Sequence, residues 1–277
     1  MNWDAVQRVW LLSAAALVLL HTGTYLVGRR AGRYNVVDVV WGIGFVVVAG
    51  VAMIAGDGSV LRRVVLFALV AIWGSRLSWY LARRTAGRGE DPRYSVLLDR
   101  HGRSPGVVIT RIFLTQAVAQ WVISLPIQVS AVAGATRGPA WWVFGAGVIV
   151  WSVGFLFETV GDRQLARFRA DPGNRGRIMD GGLWAWTRHP NYFGDCCVWW
   201  GVWLIAASAW PGVLTVFAPV IMSYVLIRGT GARLLELTMR SRPGYTEYQS
   251  RTAYFFPRPP RLSAKEHNSP NSDKTSH

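Results

Sequence analysis

The residues of this chain that could carry out chemistry are ionisable side chains within, or at the ends of, long apolar segments. A charge inside a membrane is costly, so a charged residue that is kept there usually serves a function. For each residue alone, a structural explanation, namely an interfacial position or a hydrogen bond between helices, is as good as a functional one. Together they suggest a site, because all but one lie near segment ends that we expect on one side of the membrane. The exception is Arg111, and the full set is Asp38, Arg76, Arg111, Glu158, Asp162, Asp195, Arg228 and Glu236.

The densest group of such residues extends from Glu158 to Asp195. Glu158, Asp162 and Arg169 lie at positions i, i+4 and i+11, which places them on one face of a helix that leaves the membrane. A glycine-rich stretch follows, and then the string Thr-Arg-His-Pro-Asn-Tyr-Phe-Gly-Asp at 187–195. Guanidinium groups make bidentate contacts with phosphate, so this segment predicts a ligand with several phosphate groups, such as a nucleotide. The sequence has no alternating strands and no glycine fingerprint after a strand, which excludes a Rossmann fold.

The same segment also has a simpler structural interpretation. The pair Gly181-Gly182 is typical of a turn, and Arg188-His189-Pro190 is typical of a helix with proline in its first turn. We expect His189 to be a hydrogen-bond partner at that helix start rather than a general base. Both interpretations are compatible with a functional site in these residues.

The elements that position these side chains are apolar helices. Hydrophobic residues make up 51% of the 277-residue chain and charged residues 16%, below the roughly 25% usual in soluble domains. This composition excludes a disordered protein, a disulfide scaffold and an ordinary cytosolic enzyme, and it indicates an all-α integral membrane protein. We expect about seven transmembrane helices, with a kink at Pro126 in the fourth. The predicted spans are residues 8–28, 36–56, 61–82, 107–134, 139–160, 193–209 and 211–230.

The net charge of +15 is carried almost entirely by arginine, which supplies 28 of the 30 basic residues. The arginines lie in clusters between apolar segments, a pattern typical of charges that orient a chain in a bilayer, so we expect no nucleic-acid partner. Their distribution predicts an N-terminus outside and a C-terminus in the cytoplasm. The preference for arginine over lysine indicates a GC-rich bacterial genome, and therefore a multi-pass protein of the bacterial plasma (inner) membrane.

The chain is predicted to form one membrane-embedded domain at residues 1–259, followed by a disordered cytoplasmic tail at 260–277 that contains almost no apolar residues. The two cysteines, Cys196 and Cys197, are adjacent within an apolar segment. Neighbouring cysteines rarely form a structural disulfide, and we expect no metal site.

Several motifs together resemble the steroid 5α-reductase superfamily, and more closely its bacterial branch of uncharacterised membrane proteins (DUF1295). The resemblance covers nearly the whole chain to about residue 259. The C-terminal motif residues are Glu158, Asp162, Arg169, Asn174, Gly181-Gly182-Leu183-Trp184 and Arg188-His189-Pro190-Asn191-Tyr192-Phe193-Gly194. The other motifs are Asn35-x2-Asp38-x2-Trp41-Gly42, Trp73-x2-Arg76, Glu90-Asp91-Pro92-Arg93-Tyr94 and Pro243-x-Tyr245-x2-Tyr248.

The resemblance implies a membrane reductase that binds NADPH in a cytoplasmic-side cavity and takes a lipophilic substrate from the bilayer. It implies hydride transfer to an activated carbon–carbon double bond of a sterol, polyprenyl or fatty-acyl compound, with an acid to stabilise or protonate the enolate. The implied cofactor contacts are Asp162, Arg169, Asn174, Asn191 and Tyr192, joined by Arg76, Tyr80, Arg228 and Glu236. Glu158, Arg188, His189 and Asp195 complete the predicted cofactor-binding set.

The predicted catalytic residues, Asp38 and Trp73, depart from the family pattern. Steroid reductases carry a tyrosine at the position of Trp73, and an indole N–H can donate a hydrogen bond but supplies no proton in catalysis. They also use a glutamate in the second helix, for which Asp38 is the local candidate. We therefore expect a retained cofactor half and an altered substrate half, and we do not expect a steroid substrate.

Two other functions remain open from the sequence. Isoprenylcysteine and phospholipid methyltransferases share a similar Arg-His-Pro-x-Tyr-x-Gly string but bind S-adenosylmethionine, which has no phosphate. The many arginines favour a dinucleotide over that methyl donor, although membrane topology alone also predicts such a number. The third function is a non-catalytic lipid-binding subunit, which the tryptophan at position 73 favours.

Overall fold

The structure, a computed structural model, describes residues 2–229 and 231–260, and these residues form helices joined by short connections, without a strand among them. Six helical segments are long and apolar enough to cross a membrane. The prediction of an all-α integral membrane protein is therefore confirmed. The six segments are Trp3–Ala31, Val36–Ala55, Val60–Thr85, Pro105–Ile123, Ala140–Ala170 and Gly212–Met239.

The α-helices are numbered here in chain order. In the N-terminal half they are α1 (Trp3–Ala31), α2 (Val36–Ala55), α3 (Val60–Thr85), α4 (Pro92–His101), α5 (Pro105–Ile123) and α6 (Leu125–Ser130). Within α5, the turn Ile109–Leu114 is a π-helix. The later helices are α7 (Ala140–Ala170), α8 (Leu183–Trp186), α9 (Pro190–Ala207), α10 (Phe217–Tyr224), α11 (Ala232–Met239) and α12 (Tyr245–Arg251). Short 3-10 turns occupy Pro172–Asn174 and Gly212–Val216, and a second π-helical turn occupies Val225–Gly229.

Two predicted spans differ from the observed helices. The segment predicted at 107–134 does not form one kinked helix: α5 ends at Ile123, and α6 starts anew at Leu125. Pro126 lacks an N–H and lies in the first turn of α6, where proline is tolerated, so the chain breaks rather than bends. The segment predicted at 193–209 corresponds to α9, whose polar first turn keeps it outside the six apolar segments. The number of seven spans and the orientation of the termini stay predictions.

The helices group into two compact units that each draw on two stretches of chain. The first unit comprises Met1–Trp151 and Trp199–Met222, and the second comprises Ser152–Val198 and Ser223–His277. The single domain predicted at 1–259 stays a prediction, and the predicted tail lies, from residue 261 onward, outside the described residues.

In the first unit, α2 packs along both α1 and α3, and its closest approach to α3 is at a pair of glycines. A Cβ atom placed on Gly74 would lie 2.6 Å from the carbonyl oxygen of Gly42. A Cβ on Gly42 would lie 2.8 Å from Oγ of Ser78, which accepts the backbone N–H of Ile43. Small residues at such a crossing let the two backbones touch, which is how helices commonly associate in a bilayer.

A fully buried glutamine joins three helices of the same unit. Gln120 on α5 donates from Nε2 to the carbonyl oxygen of Trp41 on α2 at 2.7 Å. Its Oε1 lies 2.8 Å from Nε2 of His21 on α1. Gly44 on α2 leaves the space that this amide occupies. A buried polar group costs free energy unless it is bonded, so these contacts fix the register of the three helices.

A buried arginine in the first turn of α3 bonds the chain at and after the end of α6. Arg62 is 1% exposed, and its guanidinium donates to Oγ of Ser130 at 2.7 Å and to Oγ1 of Thr136 at 3.1 Å. It also donates to the carbonyl oxygens of Ala133 and Gly134, each at 2.7 Å. The acceptors follow the C-terminus of α6, where the helix dipole favours a positive charge.

In the second unit, α7 and α9 also meet at small residues. A Cβ on Gly194 would lie 2.8 Å from the Cβ of Glu158, and one on Gly154 would lie 2.6 Å from the backbone nitrogen of Val198. The glycine that ends the Asn-Tyr-Phe-Gly motif is therefore a packing residue, which lets the first turns of α9 lie directly on α7.

The glycine crossing in the first unit predicts a stability difference between two glycines of α2. Gly42→Ala should lower the free energy of unfolding by about 1–3 kcal/mol, because the new methyl group meets backbone and forces α2 from α3. Gly50→Ala is the matched control, since its Cβ would lie 3.6 Å from the nearest atom, on Phe67. That variant should change stability by less than about 1 kcal/mol, in the stabilising direction. Equal unfolding temperatures for the two variants in detergent would contradict the packing argument.

Candidate functional site

The predicted site residues fall into both units, which are described separately. Asp38, Trp73, Arg76 and Tyr80 belong to the first unit. The other predicted cofactor-binding residues belong to the second: Glu158, Asp162, Arg169, Asn174, Arg188, His189, Asn191, Tyr192, Asp195, Arg228 and Glu236. Their roles stay predictions, and the structure shows the contacts that surround them.

In the first unit, the carboxylate of Asp38 is held by the start of α4. Its Oδ1 accepts a hydrogen bond from the Tyr94 hydroxyl at 2.6 Å, and its Oδ2 accepts one from Nη2 of Arg93 at 2.8 Å. Burial and the adjacent carboxylate both raise the pKa of Tyr94, so the hydroxyl stays protonated and keeps donating. The predicted catalytic carboxylate is therefore oriented by two residues that follow Pro92.

Glu90, three residues before Arg93, caps α2. Glu90 accepts the backbone N–H of Tyr34 at 2.5 Å and that of Asn35 at 2.9 Å, and Nδ2 of Asn35 donates to the carbonyl oxygen of Gly89. A carboxylate at a helix N-terminus satisfies free N–H groups and complements the helix dipole. The two motifs that contain Asn35 and Glu90 are thus binding partners. Both motifs are visible in the sequence, but their pairing is not, and Glu90, Arg93 and Tyr94 are absent from the predicted site.

Trp73, the other predicted catalytic residue, lies in an aromatic cluster in the middle of α3. Its side chain is 0% exposed. Its ring centre lies 5.9 Å from that of Phe45 and 5.5 Å, edge to face, from that of Trp199. The rings of Phe45 and Trp199 also meet, at 4.4 Å. This packing is the structural reason for a large aromatic residue at position 73.

In the second unit, one buried carboxylate collects five hydrogen bonds. Glu236 on α11 accepts from Arg188 at 2.8 and 3.2 Å, from the Tyr245 hydroxyl at 2.7 Å and from Nε2 of Gln249 at 2.6 Å. Nε2 of His189 lies 3.1 Å from the same carboxylate. We call these five residues the Glu236 cluster. It joins the start of α9 to α11 and α12.

Most N–H groups of the Arg188 guanidinium donate hydrogen bonds inside the protein. Besides its two bonds to Glu236, its Nη1 donates to the carbonyl oxygens of Gln249 at 3.2 Å and Thr252 at 2.9 Å. Four of its five N–H groups are therefore used inside the protein. Its flat face lies over the ring of Tyr254, 5.4 Å from the ring centre. This geometry favours a structural role for Arg188 over the predicted contact with a cofactor phosphate.

His189 has the surroundings expected of a structural residue at a helix start. The helix α9 begins at Pro190, as predicted. Burial lowers the pKa of His189 and outweighs the neighbouring Glu236 carboxylate, which raises it, so the ring is neutral at pH 7. The ring also lies nearly parallel to that of Tyr192, with 5.9 Å between centres.

The C-terminal segment after α12 pairs with the residues before α9. The N–H of Arg188 donates to the carbonyl oxygen of Ala253 at 2.9 Å, and the hydroxyl of Thr187 donates to that of Phe255 at 2.8 Å. The Tyr248 hydroxyl donates to the carbonyl oxygen of Trp184 at 2.6 Å. The Tyr-x2-Tyr motif thus holds the chain that leads into the Arg-His-Pro turn.

A second polar group of this unit lies where α7 faces the start of α9. Nδ2 of Asn191 donates to Oδ1 of Asp162 at 3.3 Å, and Asp162 is 3% exposed. Asn174 donates to the carbonyl oxygen of Phe168 at 3.1 Å and so closes the end of α7. The structure therefore brings Asp162 and Asn191 together as the motif suggests, whereas Asn174 bonds to Phe168 and Asp171 at the end of α7.

A row of exposed arginines continues from this group along the end of α7. Arg163, Arg167, Arg175 and Arg177 form no ion pair within the described part of the chain. Guanidinium groups without a protein carboxylate are suited to phosphate oxygens. The exposed residues are Arg163, Arg167, Arg169, Arg175 and Arg177. Among the described residues, no group of three or more His, Cys, Asp or Glu side chains is arranged to hold a metal ion.

The Glu236 cluster predicts that replacing Glu236 with glutamine, which has nearly the same size, strongly destabilises the protein. Glu236→Gln should lower the free energy of unfolding by about 3–5 kcal/mol, because the buried guanidinium of Arg188 loses its counter-charge. The matched control is Glu247→Gln on α12, which is exposed and should change stability by less than about 0.5 kcal/mol. Thermal unfolding of both variants in one detergent compares them, and equal values would show that Glu236 does not hold this unit together.

The chain is similar to plant steroid 5α-reductases over a short stretch. It is 35% identical to "Steroid 5-alpha-reductase DET2" of Arabidopsis thaliana over 75 residues, which are 26% of this chain and 28% of that protein. The same-named protein of Gossypium hirsutum is 32% identical over 72 residues, again 28% of its length. These matches confirm the predicted resemblance to the superfamily, and they span less than a third of each plant enzyme.

A longer match extends over most of the chain. "Uncharacterized protein C594.04c" of Schizosaccharomyces pombe is 26% identical over 223 residues, which are 71% of this chain and 64% of that protein. No solved structure shows a significant match to the chain. The profile of the family described as "Protein of unknown function (DUF1295)" matches residues 24–252, so the chain belongs to this family.

Proposed function

We propose that the protein is a membrane-bound, NADPH-dependent reductase that transfers a hydride to an activated carbon–carbon double bond of a lipophilic substrate. The observation that carries the proposal is the Asp162–Asn191 contact on a helix whose end bears exposed arginines, in a chain similar to steroid 5α-reductases. The coarser part, a membrane protein related to a reductase family, follows from the fold and the matches.

The donor set of the second unit fits the phosphates of NADPH. A dinucleotide with a 2′-phosphate carries more negative charge than S-adenosylmethionine, which has no phosphate at all. Exposed guanidinium groups on α7 and in the following loop offer bidentate contacts for that charge. Asp162 and Asn191 supply acceptors and donors for the uncharged parts of the cofactor. The residues that would hold it are Asp162, Arg169, Asn174, Asn191 and Tyr192.

When bound, the cofactor supplies the hydride, and the protein supplies orientation and charge. On this proposal, Asp38 serves the substrate end, and Arg93 and Tyr94 are positioning residues that fix the rotamer of its carboxylate. The hydrogen bonds from Arg93 and Tyr94 leave the Asp38 carboxyl in one orientation, which suits it to positioning a proton donor at the substrate. Trp73, packed among aromatic rings, shapes the apolar surroundings rather than transferring a proton.

The first experiment separates the reductase from its alternatives. A ligand that binds the folded state alone stabilises it by about 2.7 kcal/mol at one hundred times its dissociation constant. We expect NADPH to raise the unfolding temperature of the detergent-purified protein, and S-adenosylmethionine to leave it unchanged. A shift with the methyl donor alone would replace the reductase by a methyltransferase. No shift with either ligand, for a folded sample, would favour the non-catalytic lipid-binding subunit.

The proposed role of Arg169 predicts how its replacement changes the protein's preference for NADPH over NADH. Arg169→Ala should weaken NADPH binding by about tenfold or more, as expected for one lost charge-assisted contact, and should change NADH binding little. Only NADPH has the 2′-phosphate that this guanidinium would contact. The control is Arg242→Ala, an exposed arginine after α11, which should leave both affinities unchanged. Equal weakening of NADPH and NADH in a thermal-shift titration would remove Arg169 from the phosphate site.

A further inference from the structure

We propose that one end of the first unit binds the headgroups of anionic phospholipids. The surface consists of six exposed arginines at the ends of α1 and α3 and along the α3–α4 connection and α4, and we call it the arginine face. It comprises Arg29, Arg30, Arg83, Arg84, Arg88 and Arg100. The proposal concerns residues outside the predicted cofactor site, and it does not depend on the reductase function.

Contacts within the unit show that these arginines share one end. Nη1 of Arg33, just after α1, donates to the carbonyl oxygen of Thr85 at 3.0 Å and to that of Arg88 at 2.9 Å. The connection from α1 to α2 is therefore bound to the end of α3. The bond from Arg93 to Asp38 then ties the start of α4 to the first turn of α2.

The carboxylates at this end are already used by other groups. Residues 29–38 and 83–103 contain nine arginines and four acidic residues. Asp38 and Asp91 both pair with Arg93, and Asp99 pairs with Arg103. Glu90 accepts backbone N–H groups at the start of α2. None of the six arginines forms an ion pair with a carboxylate in the part of the chain that the structure describes, although Arg84 lies near enough to Asp91 to help lower the pKa of that carboxyl. Most of the charge of the arginine face is therefore available to an external anion.

An exposed tryptophan indicates where this end lies in the membrane. Trp79 on α3 is 65% exposed, and the guanidinium of Arg83 lies over its ring at 5.3 Å from the centre. Tryptophan is enriched at the boundary between hydrocarbon and headgroups, and arginine one turn further on reaches the phosphates. Trp79 and Arg83 therefore form a neighbouring pair suited to the two layers of one lipid leaflet.

The arrangement fits a lipid surface better than a single soluble ligand. The arginines come from the ends of α1 and α3 and from α4, and all are exposed, so together they present a broad charged rim. A dispersed set of basic side chains next to a membrane attracts anionic lipid additively, charge by charge. We therefore assign the face to headgroups with net negative charge, such as phosphatidylglycerol.

The test is the preference for phosphatidylglycerol over phosphatidylcholine, measured from quenching of tryptophan fluorescence by brominated lipids in bilayers of the full-length protein. We expect the wild type to prefer phosphatidylglycerol by about fivefold or more at low salt. The triple variant Arg83→Gln, Arg84→Gln, Arg88→Gln should lose this preference. The matched lysine triple variant should keep it, and Arg137→Gln, an exposed arginine elsewhere in the unit, should not alter it.

Three results would overturn the proposal. They are a wild type without preference, a glutamine variant that keeps it, and loss of the preference in the presence of saturating NADPH. The last would assign the arginines to the dinucleotide instead. Unfolding temperatures in zwitterionic detergent establish that each variant is folded, and they are independent of whether the protein reduces any substrate.

Discussion

The buried carboxylate of Glu236 is the interaction on which the second unit depends. Five donors from two separate stretches of chain meet at its two oxygens, and it is 7% exposed. A buried charge is tolerated when it is paired and fully hydrogen-bonded, and its removal leaves the partner charge exposed to a low dielectric. Because Arg188 is the counter-charge, the cluster fixes the residue that opens the Arg-His-Pro turn. The position of α9, and with it Asn191 and Tyr192, follows from that bond.

The first unit also contains buried polar side chains that must be hydrogen-bonded, and their partners are hydroxyls, carbonyl oxygens and a histidine instead of a carboxylate. Arg62 finds hydroxyls and carbonyl oxygens at the end of α6, and Gln120 finds His21 and a backbone carbonyl. In each case one long polar side chain reaches across a helix contact and satisfies groups on its neighbours. Apolar packing alone does not distinguish helix faces in a bilayer, so such bonds supply the specificity of the bundle. Close glycine contacts, as between Gly42 and Gly74, then set the distance.

Much of the fold follows from the sequence because hydropathy is a local property. The six apolar segments are found by a window of residues, and the start of α9 at Pro190 follows from proline's fixed backbone angle. The break between α5 and α6 was missed because a proline predicts either a kink or a new helix, and its surroundings decide. The helix α9 lies outside the six apolar segments because its first turn carries polar motif residues, and its predicted span at 193–209 stays a prediction.

The site was less accessible to sequence analysis, because its contacts join residues far apart in the chain. Asp38 and Tyr94 are 56 positions apart, and Arg188 and Glu236 are 48 apart. Single residues were chosen by their cost in a membrane, a criterion that selects buried structural pairs as readily as catalytic ones. Arg188 illustrates this limit. Its type and motif suggested a phosphate contact, whereas the structure shows its donors occupied.

The division of arginines into paired and unpaired ones connects the structure to function. Those inside the units, such as Arg62 and Arg188, are satisfied by the protein and hold it together. On the surface, Arg163 and Arg167 near the end of α7 and the six arginines of the arginine face form no ion pair within the described residues. A guanidinium cannot lose its charge at physiological pH, so an unpaired set is stable in water but binds phosphate when phosphate is near. We assign the end of α7, next to the Asp162–Asn191 contact, to the proposed dinucleotide, and the end of α3, next to an exposed tryptophan, to the proposed lipid. The neighbours of each set, rather than its charge, therefore distinguish the two ligands.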